Sequence, residues 1–338
     1  MKDTTIAIDL AKNVFEVAVS DKPGHVVERQ RLSRQGMVNY FSERQPAKII
    51  MEACGSAHHW SRVLKSMGHD VVLLPPQYVR AYVPRNKTDR SDTKALLEAH
   101  RNDDLLAVPT KSVDQQCMAL LHRMRSAWMQ TRVARLNALR GMLRELGIVI
   151  PVGARQVAPA VREHLRDGAI PGVLVHVIEE TMSEVQALNG RIRGVEQELL
   201  SLSKNSPVVT RLQTIPGIGL LTATALVAII GDVARFPSSR RFASFLGLTP
   251  RERSSGNVRR LGSISKRGDA YLRMMLLHGA RAVLRWAKIK DHQDRLRSWA
   301  VRIEKQRGHN KAAVALANKL ARIVWAVWRR EVPFQFMS

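Results

Sequence analysis

The chain has 338 residues, with 54 Lys and Arg against 29 Asp and Glu, a formal net charge of +25. Hydrophobic residues at 45% and charged residues at 25% are ordinary globular values; they exclude wholesale disorder, and the length accommodates two or three domains. The charge excludes a neutral scaffold or an enzyme for cationic substrates and points to a polyanionic partner, above all nucleic acid.

In chain order, Thr5 to Leu10 reads as a buried strand and Val14 to Val19 as its hairpin partner across the short polar Ala11-Lys12-Asn13. Ala47 to Glu52 and Asp70 to Leu74 are further strands, with a helix over His59 to Met67 between them. Strands mixed with helices predict an α/β layer domain. From about Ser112 the pattern turns helical. Apolar residues recur at helical spacing over Cys117 to Leu146 and Gly172 to Leu202, two long helices that predict a helical hairpin or an antiparallel coiled coil. The segment 147–175 between them matches no pattern. The last third is helical too, with helices over Tyr271 to Trp286 and Asn310 to Arg330, the second capped by Asn310. The charge is uneven along the chain. Residues 1–110 hold 16 basic and 13 acidic residues, 111–204 hold 13 and 9, and 205–338 hold 25 and 7. A nearly balanced first third and a basic last third predict separate tasks, and these spans are the expected domains.

Cys54 and Cys117 are too few for a disulfide framework and lack zinc-finger spacing, which fits a reducing compartment. Met1 to Leu10 shows no apolar leader segment. The uncharged run Leu220 to Ile230 is too short for a bilayer, so a soluble protein without membrane partners is expected.

Asp9 lies in an otherwise apolar strand, where an isolated carboxylate is costly to bury. Glu52 ends a second apolar strand. Asp89 and Asp92 are three apart at a helix start, hence on one face. Strand-borne carboxylates facing a helix-borne pair suit Mg²⁺ or Mn²⁺, as two-metal phosphoryl transfer requires. The structural alternative is a strand-end cap with an Asp-x-x-Asp that favours the helix dipole.

Ile215-Pro216-Gly217-Ile218-Gly219 between helical stretches has the pattern of a helix-hairpin-helix, in which Gly217 and Gly219 would bring backbone N–H groups to a phosphate; a tight inter-helix turn is the alternative. Further on, Ser254, Ser255 and Gly256 are surrounded by Arg251, Arg253, Arg259, Arg260, Lys266 and Arg267. This segment reads either as a flexible basic loop or as a serine nucleophile among cations that stabilise a phosphoryl transition state. Tyr271 is a rival nucleophile, but its helical apolar surroundings favour core packing. His58 and His59 read as structural.

The order of Asp9, Glu52, Lys-Thr-Asp-Arg-Ser-Asp, Ile-Pro-Gly-Ile-Gly, Gly-Leu-Thr-Pro, Ser-Ser-Gly and Ile-Ser-Lys-Arg-Gly-Asp-Ala-Tyr-Leu-Arg resembles the DEDD transposases of the insertion sequence 110 family and its 1111 subgroup, over nearly the whole chain. The resemblance implies a RuvC-like, RNase-H-type domain over 1–110, a helical coiled-coil region over 111–204, and a C-terminal transposase domain over 205–338. It implies Asp9, Glu52, Asp89 and Asp92 as the metal-binding carboxylates and Ser255 as the nucleophile, with Ser254 adjacent. It further implies a covalent serine–DNA intermediate, donor and target DNA as substrates, a non-coding bridge RNA as guide, and a dimer or tetramer whose protomers share sites. Lys87, in the first acidic block, joins the basic residues expected to contact nucleic acid. A bacterial cytoplasmic, nucleoid-associated protein is expected. Two other readings use the same residues: a Mg²⁺-dependent junction nuclease in which water attacks, and a non-enzymatic nucleic-acid-binding protein in which the acidic cluster is an ion-pair network.

Overall fold

The computed structural model describes residues 4–83, 89–289 and 294–336, with the side chain of Asp89 excepted. They divide into two compact units, one within Met1–Ser112 together with Ile230–Arg235, the other comprising Val113–Ile229 and Phe236–Ser338.

The first unit is built on a five-stranded sheet of β1 (Thr5–Asp9), β2 (Val14–Lys22), β3 (His25–Ser33), β4 (Lys48–Glu52) and β5 (Asp70–Leu74), in the order β3-β2-β1-β4-β5. β1, β4 and β5 run parallel, while β2 and β3 add antiparallel on one side. The parallel strands are nearly continuous in Ile, Val and Leu because both faces are covered. On one face, α1 (Arg34–Ser42) and α2 (Ala57–Ser66) help enclose Ile6, Ile8, Phe15, Ile49 and Met51, all fully buried. On the other face, α4 (Asp89–Ala99) packs over Ala7, Ala18 and Ile50. A short α3 (Pro76–Val79) starts at the Pro-Pro that closes β5. β3 does not show in the sequence pattern: it is the edge strand, its residues are mostly exposed, and six of its nine residues are polar or charged.

In the second unit α5 (Val113–Glu145) and α7 (Gly172–Ser203) lie antiparallel. Arg125 pairs with Glu196 at 2.7 Å and Arg132 donates to Asn189 at 2.9 Å, so rising numbers on one helix meet falling numbers on the other. Their 33 and 32 residues make helices of about 50 Å each at ~1.5 Å per residue. The unplaced segment between them holds α6 (Ala154–Arg166), which buries Val157 and Val161 against Leu139 and Leu143. Then follow α8 (Pro207–Gln213), α9 (Leu220–Ile230), α10 (Ser239–Phe245), a hairpin of β6 (Pro250–Glu252) and β7 (Leu261–Ile264), α11 (Ala270–Ile289), α12 (Arg295–Arg307) and α13 (His309–Arg330). α12 was not anticipated, because four arginines and a lysine obscure its short apolar face. The cap expected from Asn310 is not formed. The helix starts at His309 with Gly308 at the cap position, and Asn310 Oδ1 instead accepts a long hydrogen bond from Arg281 at 3.5 Å.

Candidate functional site

Asp9 and Glu52 are the last residues of β1 and β4. Ile8 pairs with Met51 across the parallel ladder, so the two carboxylates come next, abreast of one another. Alternation along a strand puts Asp9 on the face of Ala7 and Glu52 on the face of Ile50. That is the face α4 covers. Asp92 lies one turn into α4, with its Oδ1 shielded from solvent. The sheet therefore sets Asp9 and Glu52 side by side on the face that α4 covers, outside the carboxyl ends of parallel strands, where open α/β sheets bind ligands. Asp89 begins α4, but its side chain lies outside the described residues, as does Lys87 entirely. Among the described residues no three His, Cys, Asp or Glu side chains stand close enough to hold a metal ion. The expected donor set is all oxygen, so these residue types fit Mg²⁺ or Mn²⁺ chemistry better than a softer metal.

Two neighbours of this cluster were missed. Glu16 faces Asp9 across the antiparallel ladder and shares the face of Ala18, so it is a further carboxylate beside the site. It is buried, and Arg31 opposite it donates at 3.2 Å. An acid within Val14 to Val19 carried the same signal as Asp9. Arg29, also on β3, donates at 3.1 Å to the Thr93 hydroxyl, which itself bonds the Arg90 carbonyl. That clamp fixes the first turn of α4, the turn that carries Asp89 and Asp92.

The serine segment is a β-hairpin rather than a flexible loop. Ser255 and Val258 exchange backbone bonds at 3.3 and 3.2 Å, closing a tight turn at the tip. The Ser254 hydroxyl is engaged. It donates to Glu252 at 2.7 Å and accepts from the Arg260 amide at 3.2 Å. The Ser255 hydroxyl is exposed and has no partner among the described residues. Arg251, Arg253, Arg259, Arg260, Lys266 and Arg267 are all exposed around it, with Arg259 3.4 Å from Glu252. The base of the hairpin is fastened backbone to backbone: Gly247 lies against Lys266 and Arg267, and Gly268 against Phe245, approaches that leave no room for a Cβ.

The Pro-Gly-Ile-Gly turn does join two helices, α8 and α9, but its glycines differ. Gly217, at φ +80°, is pressed against α11, where a Cβ would meet the Gly279 carbonyl at 2.7 Å and Val283 at 2.9 Å. Helix crossing thus explains Gly217, and that face of it is closed to a phosphate. Gly219 is exposed with open space around it. Tyr271 belongs to a buried network. Its hydroxyl lies 3.0 Å from His122 Nδ1, whose Nε2 lies 3.0 Å from Thr224. Burial pushes the Tyr271 phenol up and lowers His122 to about 4, so the histidine is neutral and the half-buried tyrosine is engaged in packing. His58 is also lowered to about 4, first by burial, and accepts from the Lys111 amide.

A mixed sheet with acids at its strand ends, followed by a basic helical unit carrying an exposed serine, defines a class of protein that handles nucleic-acid phosphodiesters. Two family models match: a DEDD transposase model of the IS110 type over residues 6–148, and one described as transposase IS116/IS110/IS902 family over 209–296. The chain is 39% identical to a probable family 20 transposase of Pseudomonas aeruginosa, over 99% of both chains. It is 37% identical to the transposase for insertion sequence element IS1111A of Coxiella burnetii, over 99% of this chain and 92% of the other. A pilin gene-inverting protein of Moraxella lacunata is 24% identical over 99% and 98%. The chain belongs to the IS116/IS110/IS902 family of transposases: it is an enzyme that acts on DNA, and its N-terminal sheet is the DEDD-type domain of that family. Among the described residues no helix is long and apolar enough to cross a membrane.

Proposed function

We propose that this transposase is a bridge-RNA-guided DNA recombinase that cuts and rejoins strands through Ser255. The observation that carries the reading is the contrast at the hairpin tip, where Ser254 is spent on hairpin bonds and the Ser255 hydroxyl is exposed among cations. In this reading Ser255 Oγ loses its proton and bonds to the scissile phosphorus. The P–O bond to one sugar breaks, and the released sugar hydroxyl takes up a proton. A hydroxyl of the exchanged strand then reverses the step, so rejoining needs no ATP. The arginines of the hairpin hold the charge on the phosphoryl oxygens. Asp9, Glu52, Asp89 and Asp92 are the residues that would hold a divalent cation, which supplies Lewis-acid polarisation of the phosphate. The functional division follows residues 1–110, 111–204 and 205–338, the first a RuvC-like carboxylate domain, the second an α5–α7 coiled coil for assembly, the third the serine domain. A dimer or tetramer would complete each site from different protomers. A nucleoid-associated cytoplasmic enzyme is the matching location, and the inverting activity named for the Moraxella relative is of the same recombinational kind.

The test is reconstitution from the protein, the non-coding transcript flanking its gene, and donor and target DNA. Recombinant joints are expected only with all four and with Mg²⁺ or Mn²⁺. Joints that form equally without the transcript would rule out guidance. Strand cleavage that persists in Ser255→Ala would favour the hydrolytic nuclease.

A further inference from the structure

A groove of about 1260 Å³ opens in the second unit, between the base of the hairpin and the outer side of α13. Leu248, Pro250, Ile264, Val314 and Ile323 make it apolar, and Trp299 of α12 joins them. Its charged lining residues are Lys311, Lys319 and Arg322, and no carboxylate among the described residues lines it. Lys319 Nζ sits 4.2 Å from the centre of the Trp299 ring. Lys319 and Arg322 are three apart on one helix face, so two like charges are held close together, Lys319 half-buried and Arg322 exposed. Burial and the neighbouring Arg322 both lower the Lys319 pKa. Among the described residues none of these three cations has an acidic partner.

An apolar floor beneath uncompensated cations matches a ligand with flat apolar groups on an anionic backbone. A duplex hides its base faces in the stack, whereas an unpaired strand offers them. A second copy of a chain with net charge +25 is a poor partner for a cationic wall. The groove also borders β6 and β7, the strands that carry the Ser255 turn. From Pro250 to Ser255 is five residues, about 17 Å at ~3.3 Å per residue. We propose that this groove holds an unpaired DNA strand, its bases against Trp299 and the aliphatic floor and its phosphates on Lys311, Lys319 and Arg322, and so leads a displaced end toward the hairpin tip. The proposal rests on the reading of the chain as a recombinase but not on which group attacks the phosphate, because its readout is equilibrium binding.

The test uses the full chain and labelled oligothymidine, oligouridine and a random-sequence duplex of equal length, by fluorescence anisotropy across a salt series. Lys319→Ala with Arg322→Ala should weaken oligothymidine binding about 10-fold, lower its salt slope by about 1.4 (two phosphates at ~0.7 each), and change duplex binding less than about 2-fold. Trp299→Leu keeps apolar bulk and should weaken oligothymidine about 5-fold or more with the salt slope unchanged. Equal losses on strand and duplex, a loss confined to oligouridine, or unchanged DNA binding would each overturn the proposal. So would a change in the sedimentation of the free protein in place of a binding loss, since that would make the groove a self-association surface.

Discussion

Ser254 and Ser255 are chemically alike, and the hairpin gives their hydroxyls different surroundings. Ser254→Ala removes two hydrogen bonds and should cost about 0.5–1.5 kcal/mol in thermal unfolding. Ser255→Ala, at an exposed tip, should leave the melting temperature where it is and remove strand transfer. His122 is a residue-scale marker of the helical core. Its folded pKa of about 4 lies below the ordinary value of 6.5, so between those two values the unfolded chain binds more protons than the folded one. Stability is therefore full above about pH 6.5 and falls as the pH drops toward 4, by up to about 1.4 kcal/mol per pH unit from this residue. Denaturant melts of His122→Gln, compared with the unmutated chain across that window, should show a shallower slope; an unchanged slope would contradict the assignment.

Among the elements, two junctions carry the arrangement of the site. At the crossing of the α8–α9 turn with α11, a Cβ on Gly279 would run into the backbone carbonyl of Gly217. Backbone cannot yield as a flexible side chain can, so Gly279→Ala should destabilise the second unit by more than about 2 kcal/mol, read from chemical denaturation. Gly219→Ala, in open space, should be nearly silent in the same experiment. In the sheet unit, Arg29→Ala should loosen the first turn of α4 while leaving the strands intact. Faster amide exchange confined to α4 is the expected result. How much of this was readable follows the same physics. Strong periodicity reveals β1, β4, α5 and α7, and an acid within an apolar strand marks Asp9 as a candidate site residue. Polar residues hide β3 and α12, and the strands of the Ser255 hairpin are too short and charged to stand out from a loop. That Gly217 packs on Gly279, or that Arg29 bonds Thr93, depends on contacts 62 and 64 positions apart, for which a local pattern holds no signal.

At the scale of the molecule, the uneven charge is matched by two kinds of structure. The nearly balanced N-terminal segment folds into a sheet that lines up Asp9 and Glu52 beneath α4, with Glu16 beside them. The basic C-terminal segment presents a hairpin ringed by exposed arginines and lysines, together with the cationic groove along α13. In the proposed function these two chemistries act on one phosphodiester, with serine as the attacking group. The most direct test is denaturing electrophoresis of the protein after incubation with end-labelled DNA substrate, guide transcript and Mn²⁺. The account predicts a denaturation-resistant protein–DNA adduct whose label maps by peptide sequencing to Ser255, retained in Ser254→Ala and absent from both Ser255→Ala and Asp9→Asn. Free cleaved DNA without an adduct, or an adduct that survives in Ser255→Ala, would contradict it.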